Sequence, residues 1–293
     1  MTKEKVAVIG LGKVGTALAF LLRKAGYDLV AVADRFDAAV RAARPFIGEA
    51  PEAEPSSAAR SGELVVLAVN DDEIAPLCRE LASSGAFGPS QKVVHLSGAG
   101  PLGLLAPARE AGAQVASIHP LQSFADVAGA VANLPGSTFG ITCDEDLRPW
   151  AEGLVRDLGG TPFFVRDDDK ALYHAAACIA CNYLTALLDM AQEIYCGLGI
   201  PRERAVAAFW PLILGTLKNI EAAGTAGALT GPIARGDVST VKRHLAILMD
   251  KHPPYLGAYR EMGLVTTELA VRKGTLTAGG AEKLRRILKG EEE

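Results

Sequence analysis

Lys170 and His174 stand four residues apart in the stretch Asp167 to Asn182, DDDKALYHAAACIACN, where a run of acids opens a long apolar helical pattern. One helical turn separates them, roughly 40° around the axis, so both can project into one cleft. An amine and an imidazole placed this way suit proton transfer, either side chain giving or taking the proton or one setting the charge of the other. The plainer reading stays open: Lys170 pairs with the acids around it and His174 is a satisfied interface histidine. Two more polar groups close predicted strands, Ser97 in Ser97-Gly98-Ala99 and His119 in His119-Pro120-Leu121-Gln122-Ser123-Phe124. In open α/β sheets ligands bind at the carboxyl ends of strands, which makes Ser97 and His119 candidate substrate contacts. Val69 and Asn70 end another strand and are candidate cofactor contacts for the same reason, although loop polarity alone explains Asn70 and Asp71.

These groups need a sheet to carry them. Val6 to Ile9 is a β-branched run that passes into Gly10-Leu11-Gly12-Lys13-Val14-Gly15 and then an apolar helical pattern through Leu22. In such a turn Gly10 allows the tight bend, Gly12 lets backbone approach a pyrophosphate, and Gly15 permits close packing of helix on strand. The free N–H groups of the helix start would hold the phosphates. A second strand, Leu29 to Ala33, closes a βαβ unit, so the fingerprint sits in the context that dinucleotide binding requires. Asp34 ends that strand, where a carboxylate accepts from the adenosine ribose and disfavours a 2′-phosphate; NAD is the first choice of cofactor. Arg35 keeps NADP open, since an arginine there can pair with that phosphate or stack on adenine.

Further strands are predicted at Leu64 to Val69, Lys92 to Leu96, Gln114 to Ile118, Thr138 to Thr142 and Pro162 to Val165. Helices or loops separate them, as in a doubly wound parallel sheet whose late strands can run antiparallel. Glu49 to Pro55 reads as a loop. After Val165 strand signals nearly vanish, Asp167 to Asp169 can cap a helix, and helices follow to Leu288. The predicted organisation is an α/β Rossmann-type domain over residues 1–166 and an all-helical domain over 167–293, with Glu291 to Glu293 a solvated tail.

Composition bounds the partners. With 22% charged and 49% hydrophobic residues the chain reads as globular, and a net charge of −4 argues against nucleic acid and anionic membranes. No secretory signal opens the sequence, and the apolar runs read as too short or too interrupted to cross a bilayer, so a cytoplasmic protein is expected. The five cysteines, odd in number and irregularly spaced, fit reduced thiols, and Cys178-x-x-Cys181 reads as core packing within a helix; no metal site is expected.

His95 to Ala99 (HLSGA), His119 to Phe124 (HPLQSF), Lys170 to Tyr183 (KALYHAAACIACNY) and Leu229 to Asp237 (LTGPIARGD) together give the chain a family likeness. Over essentially its whole length it resembles Rossmann-like proteins joined to the domain of unknown function 2520. These lie within the superfamily of 6-phosphogluconate dehydrogenase, ketopantoate reductase, pyrroline-5-carboxylate reductase and the deazaflavin-dependent NADP oxidoreductases. The resemblance implies an NAD(P)-dependent oxidoreductase with its active site between the two domains, and a homodimer formed through the helical one. In the ketopantoate reductase and 3-hydroxyacid dehydrogenase branches a lysine early in the interdomain helix is the general acid or base, and an asparagine four residues on orients substrate. Lys170 matches the lysine. His174 stands where that asparagine would be, and Asn182 lies two turns beyond His174, roughly 12 Å along the axis, so the match departs there.

For hydride transfer to a carbonyl or imine carbon, Lys170 is the expected proton donor, with His174 sharing the task or setting its protonation. Arg235 is the expected clamp on a substrate carboxylate, or else it braces its loop by pairing with Asp237. A small 2-oxo or 3-hydroxy acid is the expected substrate, ketopantoate first. A cyclic imine, a prephenate-type acid suggested by the HPLQSF motif, or a cofactor-binding sensor without chemistry are the alternatives.

Overall fold

The computed structural model describes residues 3–291; Glu292 and Glu293 of the expected solvated tail lie outside them. The chain divides into two compact units, Met1–Asn182 and Tyr183–Glu293.

In the first unit the β-branched runs become strands covered on both faces. The strands β1 (Lys5–Ile9), β2 (Asp28–Ala33), β3 (Leu64–Leu67), β4 (Lys92–His95), β5 (Gln114–Leu121), β6 (Thr138–Cys143) and β7 (Thr161–Phe164) form one sheet in the order β2-β1-β3-β4-β5-β6-β7. All neighbours pair in parallel except β5 with β6, which is where the expected late reversal falls. Side chains alternate across the sheet. Val6 and Val8 enter one apolar cluster with α1 (Lys13–Lys24), α2 (Asp37–Ile47), α6 (Val127–Asn133) and α7 (Arg148–Asp157). Ala7 and Ile9 enter the other with α3 (Pro55–Ser61), α4 (Asp71–Ser83) and α5 (Ala106–Glu110). The short α3 went unread in the sequence because seven residues with three serines carry almost no periodicity. This is the doubly wound α/β sheet, and the C-terminal region after it is helical.

A single 3₁₀ turn, Asp167–Asp169, leads into α8 (Lys170–Cys178). The three acids do not cap α8 with their side chains, as the sequence suggested: Asp167 accepts the Leu102 backbone N–H at 2.8 Å and Asp169 pairs with Arg166 at 2.7 Å. A π turn over Ile179–Tyr183 then carries the helix on into α9 (Leu184–Gly197). The whole run, Asp167–Gly197, spans 31 residues and is apolar enough by length and composition to cross a membrane, with a mean hydropathy of 1.4 in its best window. That corrects the expectation that every apolar run is too short, because the helix runs straight through the polar positions that read as interruptions. Lys170, the first residue of α8, is packed in the sheet unit at 2% exposure. Cys178 is half-buried and Cys181 is exposed, so the C-x-x-C is not core packing; the π turn changes which residues face inward.

The second unit continues with α10 (Arg202–Ala228), broken at Gly224 where φ is +71°, then α11 (Val238–Lys251), α12 (Pro253–Lys273) and α13 (Ala278–Lys289). Its core gathers Val241, Ala270, Leu284 and Leu288. Gly263 lets α13 close on α12, since a Cβ there would lie 2.6 Å from Leu288 Cδ2.

Candidate functional site

The glycine turn after β1 is built by backbone. Gly10 has φ +100°, and a Cβ on it would sit 2.5 Å from the Ala68 carbonyl oxygen at the end of β3. Gly15 is pressed against the same turn, where a Cβ would lie 2.0 Å from the Gly10 oxygen. Gly12 differs: a Cβ there would meet nothing within 4 Å. Two of the three glycines are therefore needed for packing, and the third keeps open the space that a pyrophosphate would approach at the start of α1. Thr16 Oγ1 donates to the carbonyl of the buried Leu11 and closes the turn from inside. Val14 packs on the core, and the exposed Lys13 reaches the Phe124 carbonyl at 3.4 Å.

Asp34 does more than end β2. Its Oδ2 accepts the Leu11 N–H at 2.7 Å and its Oδ1 accepts the Phe36 N–H at 2.9 Å, so it ties the glycine turn to the start of α2. Each oxygen keeps a second lone pair for a ribose hydroxyl. Arg35 lies over the Phe36 ring at 4.9 Å and pairs with Glu73 of α4 at 3.3 Å. A cavity of about 480 Å³ runs past Gly10, Gly12, Asp34, Arg35, Val69 and Asn70, with Glu73 and Glu80 on its wall. These residues fit a dinucleotide: a glycine with room above it, a helix N-terminus and a strand-end carboxylate converge on one cleft.

Beside this cradle, at the ends of β4 and β5, lies a second set of groups. Asp71, the residue after Asn70, accepts the Ser97 hydroxyl at 2.6 Å, and Ser97 Oγ in turn accepts the Gly100 N–H at 2.8 Å. His95 Nδ1 accepts the Ser97 N–H at 3.1 Å. Lys170 enters from α8 with its side chain turned inward. Its ammonium donates to Ser97 O at 3.1 Å and Ser117 Oγ at 2.7 Å. Burial brings its pKa down to about 8, with the charges of Asp167 and Asp71 opposing.

The neighbouring histidines feel that charge. His95 is lowered to about 4 by burial and then by Lys170, and His119 to about 4 by burial, His174 and Lys170. Both are neutral imidazoles near pH 7. His119 Nδ1 lies 2.9 Å from the Tyr173 hydroxyl, and its ring meets those of Tyr173 and His174 edge-on at 5.6 and 5.8 Å. His174 Nδ1 also faces Cys178 Sγ at 3.8 Å, one turn along α8. Two glycines leave room for these rings. A Cβ on Gly98 would fall 2.5 Å from His174 Cδ2 and 2.9 Å from His119 Nε2, and one on Gly140 would fall 2.5 Å from the Tyr173 hydroxyl.

Ser97, His119, Lys170 and His174 thus come together, while the exposed Asn182 lies in the π turn. Arg235 belongs to the helical unit, in the turn before α11. There Asp237 caps α11, accepting from Thr240 N, Thr240 Oγ1 and the Ser239 hydroxyl; the Thr240 bonds chiefly hold its pKa down to about 2, with the Arg235 charge a smaller contribution. Sequence reading passed over Tyr173, His95 and Ser117, and put Asp71 down to loop polarity. The first two lie inside the quoted motifs and were legible as polar groups in them. Ser117 carried no signal beyond the strand itself.

Two family profiles match the chain, a Rossmann-like domain over residues 1–120 and the domain of unknown function 2520 over residues 137–266. The chain therefore carries a Rossmann-like domain followed by a domain of that family. No curated protein matches the sequence. Among solved structures it is similar to BF3122 from Bacteroides fragilis, described as a candidate NADP oxidoreductase: 20% identity, TM-score 0.72, covering 92% of this chain and 98% of that one. It is also similar to protein TM1727 from Thermotoga maritima, at 24% identity and TM-score 0.67 over 92% and 99% of the two chains. An imine reductase from Pseudomonas sp. aligns over 98% of this chain and 93% of its own at 17% identity and TM-score 0.62. At these identities the likeness is one of fold.

Proposed function

We propose that this chain is an NAD(P)-dependent oxidoreductase that moves hydride between nicotinamide and a small carboxylate-bearing carbonyl or hydroxy compound. A 2-oxo acid such as ketopantoate is the first substrate to test. The observation that carries the reading is a shared hinge point: Asn70 lines the dinucleotide cradle and the next residue, Asp71, holds Ser97 of the histidine cluster. Cofactor and reacting groups then belong to one end of one sheet, as the switch-point rule for such sheets requires.

The bound nicotinamide supplies or accepts the hydride. The protein's part is to place a carbonyl near the half-buried rings of His119 and His174 and to manage one proton. His174 is the proton-transfer group of this proposal. Lys170, the donor expected from the sequence, acts here through position and charge: two of its three protons fix Ser97 and Ser117, and its ammonium adds to the burial and the His174 charge that keep His119 neutral. Asn182 and Arg235 are assigned to the substrate, the latter to its carboxylate.

NAD is the preferred cofactor in this reading. Asp34, Glu73 and Glu80 give the cleft an acidic wall, and Arg35 is already paired with Glu73, so a 2′-phosphate meets repulsion and an occupied cation. The protein works as a cytoplasmic homodimer. Support for the dimer comes from α10, where Trp210, Leu214 and Leu217 recur at helical spacing, each more than 40% exposed.

A second reading, reduction of a cyclic imine such as pyrroline-5-carboxylate, uses the same groups, and the near full-length likeness to an imine reductase favours testing it beside the first. Titration with NADH and NADPH, followed by turnover with 2-oxo acids and cyclic imines, decides among them. Tight cofactor binding with no turnover on either class would replace the enzyme reading with that of a cofactor-binding sensor.

A further inference from the structure

We propose that Tyr173 is a positioning residue that locks His119 in the Nε2–H form, so that His119 presents a neutral hydrogen-bond donor to the oxygen or nitrogen of a substrate C=O or C=N group. The proposal deepens the oxidoreductase reading and rests on it for the identity of the acceptor, but the lock itself is a property of the protein alone.

The geometry fixes where each hydrogen goes. Tyr173 hydroxyl and His119 Nδ1 are 2.9 Å apart, and only one hydrogen can lie between them. Burial raises the phenol's pKa, with the Gly140 backbone opposing that shift, so the phenol keeps its hydrogen. A half-buried phenol needs an acceptor for its own hydrogen, and among the described residues its hydrogen-bond partner is Nδ1. With Nδ1 accepting, a neutral imidazole must carry its proton on Nε2. That nitrogen borders the space beside Gly98, the side on which His174 also stands.

The surroundings support a built arrangement. The Tyr173 ring stacks on Phe163 at 6.5 Å with 26° between planes, and the absence of a Cβ at Gly140 leaves room for its hydroxyl. Burial first, and then the charges of His174 and Lys170, oppose a second proton on His119, while Asp71 favours one. A neutral donor of this kind polarises a carbonyl without giving up its proton, so the developing negative charge meets a fixed dipole and His174 remains to complete the proton balance.

Nitrogen-15 NMR of the histidine side chains in the cofactor-free protein tests the lock without any substrate. The expected result is a neutral His119 with bare Nδ1 and protonated Nε2 at pH 7, and a mixture of tautomers in Tyr173→Phe. Phe163→Leu, which keeps the hydroxyl, should retain the wild-type signature. A wild-type His119 protonated on Nδ1, or an unchanged tautomer in Tyr173→Phe, would overturn the proposal. On whichever carbonyl or imine the wild type turns over, Tyr173→Phe should lower kcat about 10-fold with KM within about twofold, a loss confined to the transition state. An equal rise in KM with kcat intact would instead assign Tyr173 to substrate binding. If no substrate is turned over, the oxidoreductase reading fails while the tautomer measurement still decides the lock.

Discussion

The glycine cradle and the histidine cluster sit side by side at the ends of the same strands, yet they are made differently. The cradle is backbone: Gly10 and Gly15 are dictated by contacts of 2.5 and 2.0 Å that a Cβ would make, and Asp34 ties the turn by accepting main-chain N–H groups. The cluster is mostly side chains, drawn from β4, β5 and α8 with Asp71 of α4 and Ser97 just after β4, held by one another and by the Ser97 main chain. A backbone site tolerates changes of charge and fails on added volume. A side-chain site of buried titratable groups is sensitive to both, and the cluster should show its dependence on protonation directly.

The largest effect expected is on stability in acid. The folded state favours neutral His95 and His119, with pKa values of about 4 against 6.5 for an ordinary histidine. Between those values the unfolded chain binds more protons, so stability falls as pH drops from 6.5 to 4, by roughly 3 kcal/mol for each histidine at most. Urea unfolding across that window measures it, and His119→Gln should remove part of the slope. For Lys170, lowered from 10.5 to about 8, the same sign makes stability rise as pH climbs from 8 toward 10.5. A flat profile from pH 6.5 to 4 would mean that the cluster is wetter than its burial implies.

Next in size is Gly98→Ala. The new methyl would fall 2.5 Å from His174 Cδ2 and 2.9 Å from His119 Nε2, so both rings must move. Turnover should drop about 100-fold or more, the scale on which misplacing an acid–base group costs catalysis, while the cofactor Kd stays within about threefold. If both fell together, cradle and cluster would not be separable.

The same contrast explains what could be read in the sequence. The cradle was legible because each of its needs selects one residue type at a fixed spacing: glycines at 10, 12 and 15, and an acid at 34. The sheet was legible because buried parallel strands are uninterrupted apolar runs, as in Leu64 to Leu67. Lys170 could be placed near a site but not in its contacts. Nothing local says that its amine turns toward Ser97 and Ser117, residues 73 and 53 positions earlier. Tyr173 was hidden for a similar reason, since its partner His119 is 54 positions away and the glycine that makes room for it is on β6. The π turn had no sequence signature at all, and it decides where Asn182 and Cys181 lie.

Gly12→Ala sharpens the comparison from the cradle's side. Because a Cβ there meets nothing within 4 Å, the substitution should leave Tm within about 1 °C, a change expected where no contact is altered. It should still weaken cofactor binding about 10-fold or more, since the methyl occupies the space the pyrophosphate needs. Unchanged affinity would show that the dinucleotide takes another path. Gly10→Ala, by contrast, should lower Tm as well, because its φ of +100° and its 2.5 Å approach to Ala68 O both resist a side chain.

The smallest effect expected is in cofactor choice. Glu73 and Arg35 form an exposed pair, and such pairs contribute little to stability, so Glu73→Gln should not disturb folding. It should change the electrostatics of the cleft, freeing Arg35 for a 2′-phosphate and removing one negative charge beside it. The expected outcome is a severalfold gain in NADPH affinity, read by fluorescence titration, with NADH affinity within about twofold. Arg35→Ala in the same background should cancel most of the gain, because the arginine is the group released. A gain that survives this second substitution would assign discrimination to the acidic wall as a whole, with Asp34 and Glu80 then carrying what Glu73 had been given.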